Sequence, residues 1–215
     1  MCLCVETIRI ADGGLPSPEI LALHRERIDR TCRGLYGLTG GFGPEAALAA
    51  VPVPPALRSG VVKCRVVYGP SGIVKVEYQP YVPPRIGSLL AVADDDAEYA
   101  YKYCDRSRLT VWHERAVAAG CGDALIVRRG RVTDTTFCNV AFRVAGGSPE
   151  VWHTPAEPLL RGTMREYLLR RRTVTVRDIP VSALTDGFYD LAALFNAMNG
   201  FGSLILPVGR IMSAL

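Results

Sequence analysis

Two β-branched runs separated by four turn residues are the feature that most constrains the fold. Residues 61–68 and 73–81 flank the turn Gly69-Pro70-Ser71-Gly72, and this spacing predicts an antiparallel hairpin. Pro83-Pro84 follows at once, and adjacent prolines end strands and helices alike. The pattern therefore predicts a small N-terminal lobe over residues 1–84 and a larger lobe over 85–215.

Strands and helices are mixed without a strict alternation elsewhere. Residues 3–10 are predicted to form a strand, and a helix is predicted to begin at Ser17-Pro18, where Ser is a favourable N-cap and Pro fits the first helical position. The second lobe shows helix starts near Asp105 and Thr163. Its predicted strands cover residues 88–93, 99–103, 124–127, 138–144, 151–153, 173–176 and 204–208. This mixture predicts an α+β fold rather than a doubly wound sheet.

Composition excludes several classes of protein. The formal charge is only +4, and the one dense basic run, Arg170-Arg171-Arg172, ends a predicted helix, so a nucleic-acid-binding surface is not expected. The seven cysteines are scattered without a paired metal-ligand spacing, which predicts no metal site and a reducing compartment. No signal peptide or membrane-length apolar run is visible, and the expected location is the cytoplasm.

Lys102 interrupts the aromatic segment Tyr101-Lys102-Tyr103. Partial burial lowers the pKa of an ammonium group, and a neutral amine is the form that attacks an aldehyde. Periodicity alone equally allows a lysine at a strand edge with its amine in solvent. Lys102 is therefore a candidate nucleophile that needs support from other residues.

Three further segments carry groups suited to an anionic cofactor. Asp134 lies five residues before Asn139, in what is otherwise an ordinary polar turn. Gly162-Thr163-Met164 and Asn196-Ala197-Met198 are tight turns that can offer backbone N–H groups to a phosphate. An amine, a carboxylate for a pyridine nitrogen and anion-holding turns are the parts that a pyridoxal-phosphate enzyme needs.

The order of these segments resembles the marker segments of the class IV (fold-type IV) pyridoxal-phosphate enzymes. That family includes branched-chain and D-amino-acid aminotransferases and 4-amino-4-deoxychorismate lyases. The resemblance begins with His24-x-x-Arg27, two residues that a helix would otherwise leave on the surface. It runs from about Glu6 to Val208 and implies a two-lobed fold with a trimmed first lobe.

The resemblance implies a role for each matching residue. Lys102 is similar to the Schiff-base lysine, and Asp134 to the acid that keeps the pyridine nitrogen protonated, where most of the family has Glu. Arg27 resembles the phosphate-binding arginine. The other implied cofactor-binding residues are Asn139, Thr163, Met164, Ala197 and Met198.

The implied substrate is a small amino acid or keto acid, and the implied assembly is a homodimer. The segment Glu6-Thr7-Ile8-Arg9 is similar to the strand that faces the substrate, and the expected substrate residues are Thr7, Arg9, Arg65 and Arg106. An aminotransferase reaction leads the hypotheses. Elimination from aminodeoxychorismate to 4-aminobenzoate and pyruvate is the alternative, and a cofactor-free binding protein on the same scaffold is the second alternative.

Overall fold

The computed structural model describes residues 2–147 and 150–213, and the chain divides into two compact units. The first unit contains the chain up to Pro83 together with Tyr101–Asp105. The second contains Pro84–Ala100 and the chain from Arg106 onward. The class is α+β with a fold-type IV architecture, as predicted.

The first unit is a three-stranded antiparallel sheet with helices on one side. Its strands are β1 (Cys4–Ala11), β2 (Val61–Gly69) and β3 (Gly72–Pro80), in the order β1-β2-β3. The helices are α1 (Pro18–Tyr36) and α2 (Pro44–Ala50). The predicted hairpin is confirmed, with Gly69 and Gly72 paired beside the turn.

The ends of α1 follow from local chemistry. The Ser17 hydroxyl accepts a hydrogen bond from the N–H of Ile20, and Gly37 ends the helix in the left-handed region at φ 69°. The buried stripe of α1 includes Leu21, Ile28 and Cys32, whose spacing places them on one face of a helix. Helix α2 was missed because it lies in a Pro- and Gly-rich stretch, although a proline at its first turn is favourable.

The segment Tyr101–Asp105 corrects two predictions. Residues 99–103 are not a regular strand, and Lys102 groups with the first unit rather than with the C-terminal lobe. The reason is backbone pairing with β1, because Val5 N donates to Lys102 O at 2.9 Å and Cys104 N donates to Leu3 O at 2.8 Å. Local periodicity cannot reveal a partner that lies about a hundred residues away.

The second unit is built on two sheets. The first has the order β12-β4-β5-β6, formed by Ile211–Ser213, Leu89–Ala93, Asp123–Arg128 and Arg131–Thr135. The other has the order β11-β10-β7-β8-β9, formed by Ile205–Pro207, Tyr189–Phe195, Asn139–Val144, Trp152–Pro155 and Thr175–Arg177. Helix α3 spans Ser107–Ala118 and α4 spans Thr163–Arg170.

Three strands of this unit were not predicted from sequence. Strand β6 reads Arg-Val-Thr-Asp-Thr, which is polar enough to look like a turn. Strand β10 contains Asp190 and two alanines, residues with weak strand preference. Strand β12 forms at the edge of its sheet, parallel to β4. Asp105 was also wrong as the α3 cap, because Arg106 holds that position without a side-chain capping bond.

No helix in the described part of the chain is long and apolar enough to cross a membrane.

Candidate active site

The predicted site residues divide between the two units. Thr7, Arg9, Arg27, Arg65 and Lys102 belong to the first unit. The second unit holds the remaining ones, namely Arg106, Asp134, Asn139, Thr163, Met164, Ala197 and Met198. Each group has its own internal geometry.

Arg27 lies in a buried charged cluster with Glu6 and His24. Arg27 Nε donates to Glu6 Oε1 at 2.8 Å, and Arg27 Nη2 donates to Glu6 Oε2 at 2.5 Å. His24 Nδ1 lies 2.5 Å from the same Oε2, as the donor that a carboxylate requires. All three side chains are buried, although the helix pattern alone favours surface positions for His24 and Arg27.

The charge of Glu6 is stabilised by these two partners. Burial alone would raise the pKa of Glu6, but the Arg27 charge and the hydrogen bonds from His24 and Arg27 lower it to about 2. The carboxylate is therefore ionised at any physiological pH. From sequence, Glu6 was assigned only to a substrate-facing strand. Ile8 lies two residues further along the same strand and is buried, and this spacing was the signal that the Glu6 side chain also points inward.

Lys102 is fixed at the free edge of β1. Its neighbours Tyr101 and Tyr103 pack against a buried cluster that includes Ile28 and Cys32 of α1. Tyr103 pairs with Cys4 as an isolated bridge, which places the backbone of Lys102 beside Val5, and Tyr103 N also donates to Tyr101 O at 2.9 Å, so the backbone turns tightly at Lys102. The side chain of Lys102 is partly exposed.

Arg65 alternates along β2 with the buried Cys64 and Val66, and it is held by two contacts. Its Nη1 donates to Glu77 Oε2 at 2.7 Å, and its Nη2 lies 3.8 Å from Cys104 Sγ. Cys104 lies two residues after Lys102, and its Sγ also donates to the carbonyl oxygen of Cys4 at 3.4 Å. The segment that carries Lys102 is thus tied to the sheet by side chains as well as by backbone.

Asp134 and Asn139 form the centre of the group in the second unit. Asp134 Oδ1 accepts from Asn139 Nδ2 at 2.8 Å, and Asp134 Oδ2 accepts from the backbone N–H of Leu160 at 2.8 Å. Asn139 Nδ2 also donates to the carbonyl of Leu160 at 2.8 Å. This arrangement joins the end of β6 to the start of β7 and to the loop before α4.

Burial gives Asp134 an unusual proton affinity. It raises the pKa of Asp134 to about 6, although the Leu160 N–H, the Asn139 amide and the charge of Arg165 act in the opposite direction. Arg165 is itself buried, and it donates from Nη2 to the carbonyl of Pro155 at 2.8 Å. A cation that comes close to such a buried carboxylate stabilises its ionised form.

Gly162 is required by Asn139 at the start of α4. A Cβ on Gly162 would collide with Asn139 Oδ1, so a side chain cannot be added without displacing the amide. Thr163 and Met164 follow as the first residues of α4, and within the described chain their backbone N–H groups have no hydrogen-bond acceptor. These two N–H groups lie at the positive end of the helix dipole.

The Asn196 turn differs from the predicted one. Asn196 Oδ1 accepts from the N–H groups of Met198 and Asn199 at 2.8 and 2.9 Å. The Met198 N–H, expected to be available for a phosphate, therefore already has an intramolecular acceptor. Asn196 Nδ2 donates to the carbonyl of Phe137 at 3.0 Å, which ties this turn to the loop between β6 and β7.

That loop is also held by a buried carboxylate that sequence reasoning missed. Asp123 Oδ1 accepts from the hydroxyl of Thr136 at 2.6 Å, and Asp123 Oδ2 accepts from the Thr136 N–H at 3.2 Å. Arg106, predicted to meet a substrate carboxylate, donates from Nη2 to the carbonyl of Thr136 at 2.9 Å. An acid at the first residue of a buried strand was the signal for Asp123. No group of His, Cys, Asp and Glu suited to a metal ion occurs among the described residues.

No family model matches the sequence, but comparisons with individual proteins find relatives. An uncharacterized protein from Haemophilus influenzae is 30% identical over 196 residues, which cover 91% of this chain and 97% of that protein. The structure of a proposed 4-amino-4-deoxychorismate lyase from Haemophilus somnus is 28% identical with a TM-score of 0.80. The likeness covers 93% of this chain and 97% of that one.

The chain belongs to the fold-type IV family of pyridoxal-phosphate enzymes. It is an enzyme of this class. A proposed amino-acid aminotransferase from Mesorhizobium loti shares the fold at 19% identity and a TM-score of 0.76, and the likeness covers 96% of this chain and 98% of that one. A PLP-bound hypothetical aminotransferase from Mycobacterium tuberculosis is 19% identical to this chain, with a TM-score of 0.70.

The fold-type IV assignment agrees with the trimmed first lobe inferred from sequence. The likeness covers 99% of this chain but 81% of the Mycobacterium tuberculosis aminotransferase. The Haemophilus somnus protein, by contrast, is covered almost completely. This fold-type IV chain therefore resembles the shorter of these proteins in extent as well as in identity.

Proposed function

We propose that this fold-type IV enzyme uses pyridoxal phosphate to act on the amino group of a small amino acid, in an aminotransferase-type reaction. The observation that carries the proposal is the placement of Lys102. Its backbone is hydrogen-bonded to β1 at a tight turn, and its side chain is partly exposed. Lys102 Nζ would hold the cofactor as a Schiff base and then move the proton of the substrate Cα. The bound cofactor supplies an electron sink.

The residues of the second unit fit this cofactor. Asp134 is a buried carboxylate whose raised pKa makes a protonated pyridine nitrogen a favourable partner. Asn139 would orient that carboxylate through its 2.8 Å hydrogen bond. The N–H groups of Thr163 and Met164 suit a phosphate at a helix N-terminus.

The structure adds detail to two of the proposed phosphate contacts. Arg27 remains the proposed phosphate-binding arginine, with Glu6 as the counter-charge that fixes its plane. In the Asn196 turn, Ala197 N–H is the proposed donor, because Met198 N–H is already held by Asn196. The cofactor phosphate would thus meet fewer N–H groups than sequence reasoning assumed.

Borohydride trapping tests the role of Lys102. The chain contains three lysines, at positions 63, 75 and 102, so peptide mass spectrometry separates the possibilities cleanly. After reduction in the presence of pyridoxal phosphate, we expect the cofactor mass on Lys102 and a yellow protein before reduction. Label distributed equally over Lys63, Lys75 and Lys102 would mean non-specific imine formation and would remove the basis of the proposal.

Aminodeoxychorismate lyase activity is a second candidate, favoured by the 28% identity to the Haemophilus somnus protein. A half-reaction separates the two activities. Conversion of the bound cofactor to its pyridoxamine form by an amino acid supports transamination. Release of pyruvate and 4-aminobenzoate from aminodeoxychorismate, with no amino acceptor present, supports the lyase.

We also propose a homodimer and a cytoplasmic location, as the family resemblance implies. Light scattering coupled to size-exclusion chromatography measures the assembly directly. A mass near 23.3 kDa across the tested concentrations would contradict the dimer.

A further inference from the structure

The first unit presents a polar sheet surface on the side opposite α1, which we call the open face. Three cross-strand rows of residues make up this face, as fixed by the registers of β1 with β2 and of β2 with β3. The rows are Val5–Val67–Lys75, Thr7–Arg65–Glu77 and Arg9–Lys63–Gln79.

Two of the four cations on the open face are neutralised. Glu77 Oε2 lies 2.7 Å from Arg65 Nη1, and Glu77 Oε1 lies 2.6 Å from Lys75 Nζ. A single carboxylate thus serves both of these cations.

Arg9 and Lys63 are different. They are directly opposite each other across β1 and β2, and neither has an acidic partner in the part of the chain that the structure describes. Like charges facing each other across antiparallel strands destabilise the sheet. An anion bound between the two side chains would remove that repulsion.

The backbone of Lys102 lies next to the open face, at the edge of β1. Val5 N donates to Lys102 O, so Lys102 extends the Val5 row at the edge of β1. Arg9 lies four residues further along β1, which is about 13 Å at the usual rise per residue. The long side chains of Lys102, Arg9 and Lys63 can shorten the gap between their charged ends to the length of a small molecule.

We propose that Arg9 and Lys63 bind a second carboxylate of the substrate, remote from the amino group that reacts at Lys102. The substrate class is then an amine or amino acid with a carboxylate on the side of the molecule away from that amine. This inference rests on the proposed function, because it takes the bound molecule to be the substrate of that reaction. The anion site itself can be tested without catalysis.

The first test is dicarboxylate binding to the purified full-length protein. Glutarate, butyrate and inorganic phosphate are compared at constant ionic strength by calorimetry and by thermal unfolding. We expect glutarate to bind and to raise the melting temperature more than butyrate does. Equal effects of glutarate and butyrate, or stabilisation by phosphate without any by glutarate, would overturn the proposal.

Two lysines of the open face provide a matched pair of variants. Lys63→Gln should weaken glutarate binding by about tenfold, because it removes one charge-assisted contact. Lys75→Gln makes the same change in charge on the same face, but Lys75 is already paired with Glu77, so little change is expected. Equal weakening by both variants would show a general charge effect and would refute the site.

Arg9→Glu changes the other member of the pair, at an exposed position. The new carboxylate would face Lys63, so the melting temperature without ligand should rise while glutarate selectivity disappears. A retained selectivity for glutarate would contradict the site.

Steady-state kinetics of the Lys63→Gln variant provide the last test. With whichever amino substrate is turned over, Lys63→Gln should raise KM for the form that carries a remote carboxylate and leave KM for its amide analogue unchanged. Borohydride labelling at Lys102 with no effect of Lys63→Gln on glutarate binding would refute this inference alone. Glutarate selectivity without labelling at Lys102 would refute the proposed function alone.

Discussion

Glu6 and Arg27 are locked together inside the first unit by two hydrogen bonds from one guanidinium, at 2.8 and 2.5 Å. Neither side chain is accessible enough to regain water contacts if its partner is lost. In the proposed enzyme, this pair sets the plane of the arginine that would meet the cofactor phosphate.

Glu6→Gln should therefore destabilise the protein strongly. The change leaves the charge of Arg27 buried without a counter-charge, and breaking a buried pair in this way costs about 3–5 kcal/mol. Urea unfolding followed by circular dichroism measures the effect. Glu45→Gln is the matched control, because Glu45 pairs with Arg25 at the surface and such pairs contribute less than about 1 kcal/mol. Similar losses in the two variants would contradict the role of burial.

Asp134 should make the cofactor-free protein less stable as the pH rises from about 4 to 6. Its pKa is about 6 in the folded chain and 3.8 as a reference, so the folded state holds the extra proton in that window. The cost is absent below pH 3.8 and complete above 6, with a magnitude of about 3 kcal/mol. The Asp134→Asn variant should lack this dependence when unfolding is measured across the same pH range.

Glu6 contributes to the pH profile with the opposite sign, which keeps the two effects separable. Its pKa falls from 4.5 to about 2 on folding, so its stabilisation is complete above pH 4.5 and is lost as the pH falls towards 2. If the free energies of unfolding of the unaltered protein and of Asp134→Asn differed in their pH dependence only below pH 4, the effect predicted for Asp134 between pH 4 and 6 would be contradicted.

The sequence predicted the individual chemical groups better than it predicted their surroundings. The hairpin and the Ser17 cap were found because their signals are local. The pairing of Tyr101–Asp105 with β1 and the contact of Glu6 with Arg27 depend on residues 21 to about a hundred positions apart. Propensity does not report contacts of that kind, and so Lys102 was placed in the wrong unit and Glu6 was not given a partner.

Polar residues inside strands caused the other failures. Asp134 and Asp123 both lie in strands and are buried, although aspartate is disfavoured in strands. Their hydrogen-bond partners come from the Thr136 loop, from Asn139 and from Leu160. Tertiary hydrogen bonds overcame local preference at the positions where the proposed cofactor chemistry is concentrated.

Gly162→Ala should disturb the Asp134–Asn139 pair. The added methyl group would overlap the Asn139 amide oxygen, and overpacking of this kind costs about 1–3 kcal/mol. We expect lower stability and a weaker affinity for pyridoxal phosphate in an absorbance titration. Gly87→Ala is the control, because a Cβ at Gly87 meets no atom within 4 Å. An unchanged titration for Gly162→Ala would show that Asn139 can move without consequence.

Asp123→Asn should loosen the loop between β6 and β7 while keeping its volume. Asp123 is fully buried and accepts from both the hydroxyl and the N–H of Thr136. An amide in its place turns one acceptor into a donor, so one of these bonds is lost at a cost of about 1–3 kcal/mol. Asp123 also contacts His113 Nδ1 at 3.0 Å, but His113 is half-exposed and His113→Gln should cost less than about 1 kcal/mol. Thermal unfolding of the two variants measures both effects. A larger loss for His113→Gln than for Asp123→Asn would mean that the histidine contact, rather than the Thr136 turn, depends on this carboxylate.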